Sequence, residues 1–323
     1  MTPQLYIATN GLGMWTSDDR GETLVRMGSR AGMYSGYQLW ALASDPSDAN
    51  MLYAGTNGGL FRLDRRRKTW THLPSPMDKR FKITALAFSP QNPDVMIAGT
   101  QFAALYRSED HGRSWRQLDT DVPEICPGNM AQSRFTQVLL DPVNAKLGWA
   151  GVELDTVWRT TDGGNTWRRA KGGLVTGDIH GLAVTNNGKR RVFATTDKGL
   201  HVSADDGDTW EFHQIDSPSN YTRAVVPRAD NKGVMFLTNG DGPPGSWGRL
   251  YRSRDRGERW ERAVLPGDVE SSMWSVATHP ADPKLLFASA SLGQIYRSDD
   301  GGETWTALKR RLGEIRHIMW LPS

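Results

Sequence analysis

Two short pairs, Asp178-x-His180 and Tyr221-x-Arg223, bring together an acid, a base, a phenol and a guanidinium. Alternate residues of a strand point to the same side, so each pair presents its two groups together. Arg134, Arg223 and Arg316 suit a clamp for a carboxylate, sulfate or phosphate, because a guanidinium donates two parallel hydrogen bonds. Trp40 and Trp274 offer apolar faces to a sugar or aromatic ring. Glycoside hydrolysis needs two carboxylates, and Glu153 with Asp241 or Asp178 would supply them. Elimination beside a carboxylate would instead use His180 or Tyr221 as base and acid, with Arg223 neutralising the carboxylate. The set suits an anionic, sugar-like or carboxylate-bearing small molecule and hydrolase or lyase chemistry.

These residues share a place in a repeat. The pattern Ser/Thr-x-Asp-x-Gly-x-x-Trp stands complete at residues 108–115, 160–167, 203–210, 253–260 and 298–305. A sixth copy, 17–24, ends in Leu24, and a seventh, around Arg65 to Trp70, keeps little but the Trp. From Leu24 through Trp70, Trp115, Trp167, Trp210, Trp260 and Trp305 the steps are 46, 45, 52, 43, 50 and 45 residues. Short apolar runs broken by Gly, Pro, Asn and Asp lie between the copies and read as strands. Four strands at this period predict one propeller blade. Within the pattern, Asp and Ser or Thr bond nearby backbone, Gly supplies a positive φ, and Trp buries a large apolar face beneath the hairpin.

Aligning the seven first strands on the Pro-containing turn that follows gives one column: Trp40, Thr84, Thr136, His180, Arg223, Trp274 and Arg316. Two residues earlier stand Gln38, Lys82, Arg134, Asp178, Tyr221, Ser272 and Glu314. The column differs from blade to blade and is rich in functional groups; the alignment leaves open whether it faces the channel or the next blade. The loops between second and third strands add Asn57, Gln101, Glu153, Asp197, Ser291 and the insertion 239–248, which carries Asp241. Residues 5–9 match a second strand and residues 315–322 a first strand. The chain therefore reads as all-β, a single domain over 1–323. It is a seven-bladed propeller of four-stranded blades, closed by one C-terminal and three N-terminal strands.

The eight-residue pattern is identified as the Asp-box, or bacterial neuraminidase, repeat. The resemblance implies that the boxes are structural and that a ligand sits at the channel mouth on the opposite face. It does not extend to sialidases, which have six blades, an Arg-Ile/Leu-Pro motif and a Tyr/Glu nucleophile pair. No such motif occurs here, and Val226-Pro227-Arg228 has the wrong order. Asp-box propellers that assemble photosynthetic complexes or receive peptides imply the alternative, a non-catalytic binding propeller with a protein partner.

Lys and Arg number 39 against 36 Asp and Glu, a near balance that argues against nucleic acid or membrane as partner. Arg62, Arg107, Arg159, Arg252 and Arg297 recur just after the third-strand aromatic and are expected to solvate blade edges. His201 fills the aromatic slot itself and reads as structural. Cys126 is the one cysteine, so no internal disulfide forms. The N-terminal residues lack a basic head and a long apolar core, so no signal peptide and a cytoplasmic location are expected. No cofactor is expected; a metal at His180 with Asp178 or His317 lacks ligand spacing.

Overall fold

The computed structural model describes residues 2–78, 82–123, 132–186 and 188–323. Cys126 and much of the connection from Asp119 to Ser133 lie outside the described residues. The chain is all-β: seven four-stranded antiparallel sheets, with a 3-10 turn at Ser29–Ala31. Six blades follow the chain in order. The seventh combines Ile315–Pro322 with Pro3–Thr9, Met14–Ser17 and Val25–Arg26. Its closing pair runs from Pro3 opposite Pro322 to Thr9 opposite Ile315. The ring thus closes as the repeat count predicts, which removes the free edges of an open array.

Seven buried apolar clusters hold the ring, each drawn from two neighbouring blades. Second-strand residues such as Trp149, Phe193, Phe236 and Phe287 are fully buried. Each box glycine leaves room for the preceding blade. A Cβ at Gly257 would lie 2.7 Å from the Phe193 ring, and one at Gly302 would lie 2.4 Å from Phe236. Both glycines also hold positive φ, 83° and 91°, so both sterics and backbone demand glycine.

The boxes follow one hydrogen-bond plan. In the last, Ser298 Oγ donates to Asp300 Oδ1 at 2.8 Å and accepts from the Gly302 amide at 2.9 Å. Asp300 then accepts from the Glu303 and Thr304 amides at 3.0 Å each. The degenerate seventh copy has a different use. Arg65 stands where the Asp would be and is buried. It donates to the Tyr6 hydroxyl at 3.0 Å, to Gln4 at 2.9 Å and to the Pro322 carbonyl at 2.6 Å, pinning both strands of the closing pair.

The expectation that the repeated arginines solvate blade edges is corrected for Arg159, Arg252 and Arg297. Arg252 is buried and donates to the Gly302 carbonyl at 2.7 Å, with Glu303 at 2.9 Å. Arg297 reaches the Arg20 carbonyl and Glu22, and Arg159 reaches Asp208. Each spans to the box of the next blade. An arginine long enough to cross an interface gains more from a carbonyl there than from water.

Burial works to raise the carboxyls of Asp110, Asp205 and Asp300, but side-chain and amide donors outweigh it and hold them at about 2. A depressed carboxyl stabilises the fold above its unfolded value and loses that contribution as pH falls through its folded value. The melting temperature should therefore drop steeply from about pH 4 to about pH 2, and Asp300→Asn should flatten part of that slope. Parallel curves for variant and wild type would show that the box does not titrate with unfolding.

Candidate functional site

Each first strand carries a β-bulge at one height. Leu39 pairs with Thr56 and Ala41 with Gly55, leaving Trp40 as the extra residue. The same slip singles out Thr84, Thr136, His180 and Trp274. It falls at Arg223 with Ala224, and at Arg316 in the closing strand. The sequence column is thus a ring of bulged residues, and bulges re-aim side chains. Part of the column serves blade contacts. Thr84 and Thr136 donate to the next blade's Phe135 and Ile179 carbonyls, both at 2.7 Å. His180 does the same through Nδ1, 2.6 Å from the Thr222 carbonyl. A carbonyl only accepts, so Nδ1 carries the hydrogen.

The rest of the column surrounds the channel mouth. A cavity of about 710 Å³ there is lined by Glu153, Asp178, His180, Tyr221 and Asp241, together with Arg134, Arg223, Trp274 and Arg316. Nine of the ten residues singled out by sequence therefore converge. Trp40 lies just below, in a second cavity of about 330 Å³ along the channel, which shares Arg134, His180, Arg223, Trp274 and Arg316 with the mouth. Asp197, Lys198, Ser291 and Glu314 also line the mouth. Asp197, Ser291 and Glu314 stand in the aligned columns and loops, but nothing there ranked them above their neighbours. The second–third-strand loops differ in use. Asn57 accepts the Gln38 amide at 2.9 Å, and Gln101 donates to Gln132 at 3.0 Å.

Cation and indole alternate across the neck. The Arg223 guanidinium lies 3.8 Å from the Trp274 ring centre. Arg316 lies 4.2 Å from Trp40 and 5.7 Å from Trp274, and Arg134 lies 5.1 Å from Trp40. Lys82 Nζ stands 5.4 Å from Trp40. Desolvated contacts of this kind contribute about 2 kcal/mol each. The expected sugar platforms are therefore partly taken: arginine covers an indole face of both Trp40 and Trp274.

The carboxylates differ in what they hold. Glu153 accepts from Arg134 at 2.8 Å. Glu314 pairs with Arg316 and accepts from Asn10 at 2.6 Å. Asp241 accepts from the Ser246 amide at 2.7 Å and its hydroxyl at 2.5 Å, bracing the long insertion. Asp178 and Asp197 each keep one buried oxygen without a hydrogen-bond partner. Asp178 Oδ2 lies 3.3 Å from His180 Nε2. Burial pushes the Asp178 carboxyl up, but His180, Arg223 and Arg134 outweigh it and hold it low. Burial, then the Arg223 charge, pulls His180 down. Burial raises Tyr221, whose hydroxyl accepts from Arg223 at 3.4 Å. Tyr221 is therefore a neutral phenol at physiological pH.

Box geometry, ring count and closing strand now stand together. This chain is a seven-bladed Asp-box propeller. The BNR/Asp-box repeat model matches residues 296–307, the last box and its flanks. The propeller is similar to rat (Rattus norvegicus) sortilin, 28% identical over 65% of the chain and 24% of that protein. It is also similar to a probable oligoxyloglucan-reducing end-specific xyloglucanase of Neosartorya fischeri, 25% identical over 79% of the chain and 31% of that protein. The chain thus spans about a quarter to a third of the length of these curated relatives. Among solved structures, the Niastella koreensis GH74 enzyme superposes with a TM-score of 0.67 at 20% identity, over 83% of this chain and 45% of that one.

Burial, then the charges of Arg134 and Arg316, lowers the Lys82 pKa. Arg316→Met removes one repelling charge, so the Lys82 amine should titrate closer to the ordinary lysine value, measured by NMR of the labelled side chain. An unmoved titration would mean that Arg316 is not the neighbour that Lys82 feels.

Proposed function

We propose that the protein is a glycoside hydrolase that takes a sugar unit of an oligosaccharide or polysaccharide into the channel mouth. The observation that carries this reading is the convergence of carboxylates on one open polar cavity, two of them with unpartnered buried oxygens. A buried acceptor without a donor is costly, and sugar hydroxyls are dense in donors. The curated relatives named as xyloglucanases support the same class. Asp178 and Asp197 are the pair best placed to work on substrate, because the oxygens of Asp241 and Glu314 already hold partners. The bond from His180 to Thr222 holds the start of the strand that Asp178 precedes. Tyr221, a retained phenol, donates to the leaving side.

A second reading, a binding propeller without turnover, is favoured by one observation: Asp178 and Asp241 are both held low, whereas a general acid needs a raised carboxyl. Release of reducing ends from xyloglucan and a panel of oligosaccharides separates the two. Asp178→Asn and Asp197→Asn should each lower kcat/KM by about 100-fold or more while leaving the melting temperature near that of wild type. Full turnover in both variants would sink the pair. Tight binding of an oligosaccharide with no reducing ends released would favour the second reading.

A further inference from the structure

Four cations meet at the neck below the mouth: Lys82, Arg134, Arg223 and Arg316. Glu153 and Glu314 pair with Arg134 and Arg316, and the Asp178 charge acts on both Arg223 and Arg134. Among the described residues, Lys82 and Arg223 have no carboxylate within ion-pair distance. Arg223 instead rests on the Trp274 face and the Tyr221 hydroxyl. Arg316 keeps its Nε buried without an acceptor. Four positive groups thus share three carboxylates, in a space flanked by the Trp40 and Trp274 indoles. Burial pushes even the Arg316 guanidinium down, to about 10. Leaving such charge unmatched in a low-dielectric neck is costly, and one bound anion relieves it. The three arginines line both the mouth and the channel cavity, so an oxyanion can reach them from the mouth while the rest of its molecule stays there.

We propose that the channel neck is an oxyanion seat, formed by Arg223 and Arg316 with Lys82 adding its charge from beside Trp40, which receives the carboxylate or sulfate of an acidic sugar whose ring lies in the mouth. This rests on the sugar-binding reading of the mouth and adds a substrate class: a uronic acid or sulfated unit rather than a neutral one. The indoles act here as walls that stiffen the arginines, with the sugar ring held by hydroxyl contacts to the carboxylates above. Lys82 is the least obvious member. It precedes the first strand of its blade, and only its position over Trp40 brings it to the neck.

The test is calorimetric titration of the intact protein with three probes: sodium sulfate, an oligogalacturonate, and the same oligosaccharide with its carboxylates reduced to alcohols. The acidic sugar should bind at least about tenfold tighter than its reduced counterpart, a difference of about 1.4 kcal/mol, and the preference should weaken as salt rises. Arg223→Gln with Lys82→Met should abolish that preference and leave affinity for the reduced sugar in place. Equal affinity for the two sugars in wild type would overturn the seat and leave the mouth reading standing. Sulfate binding that is lost in the double variant would support the seat even if neither sugar binds, in which case the sugar reading alone fails. No response to sulfate or to the acidic sugar would overturn the seat.

Discussion

Everything at the mouth depends on the first and last strands finding each other. Six blades in a row define an arc, and an arc has no axis. Pairing of Pro3–Thr9 with Ile315–Pro322 turns the arc into a ring. Asn10 then bonds Glu314 across 304 positions of sequence. The entropy of closing so long a loop rises only slowly with its length, and Arg65 meets it with hydrogen bonds to both partners of the closing pair. The blade that gave up its box supplies that residue.

The second constraint is the bulge. A regular strand would alternate its side chains between the two neighbouring blades, and every functional group would be spent on packing. One extra residue at the same height in each first strand breaks that alternation where the strand meets the axis. It creates a ring of positions with two uses. Threonines there bond the next blade, while Arg223, Arg316 and the tryptophans meet around the neck. His180 does both, with one nitrogen on a neighbour's carbonyl and the other beside Asp178.

This division explains what was legible in the residues and what was not. Ring size, blade composition and the closing strand follow from local signals: a box, its spacing, and a strand missing at one end and present at the other. The face on which Glu153, Asp178, Tyr221 and Asp241 gather was also legible, because they break a pattern that their structural counterparts keep. The bulge was not, since no single residue type marks it. The pairing of cation with indole was not either. Arg316 touches Trp40 and Trp274 from three different blades, and no spacing along the chain encodes which residues face each other across an axis. The repeated arginines show the same limit in reverse. Their regular spacing suggested solvated edges, whereas chain length and a neighbour's carbonyl made clasps of Arg252 and Arg297.

The closing strand also carries Arg316, with Glu314 just ahead of it, and both line the mouth. During synthesis the other six blades can emerge and pack in turn, yet the pocket lacks part of its wall until the propeller's final strand has left the ribosome. Ring closure and pocket completion are then one event in time. A molecule stalled or clipped before that strand would present open sheet edges and an incomplete pocket together.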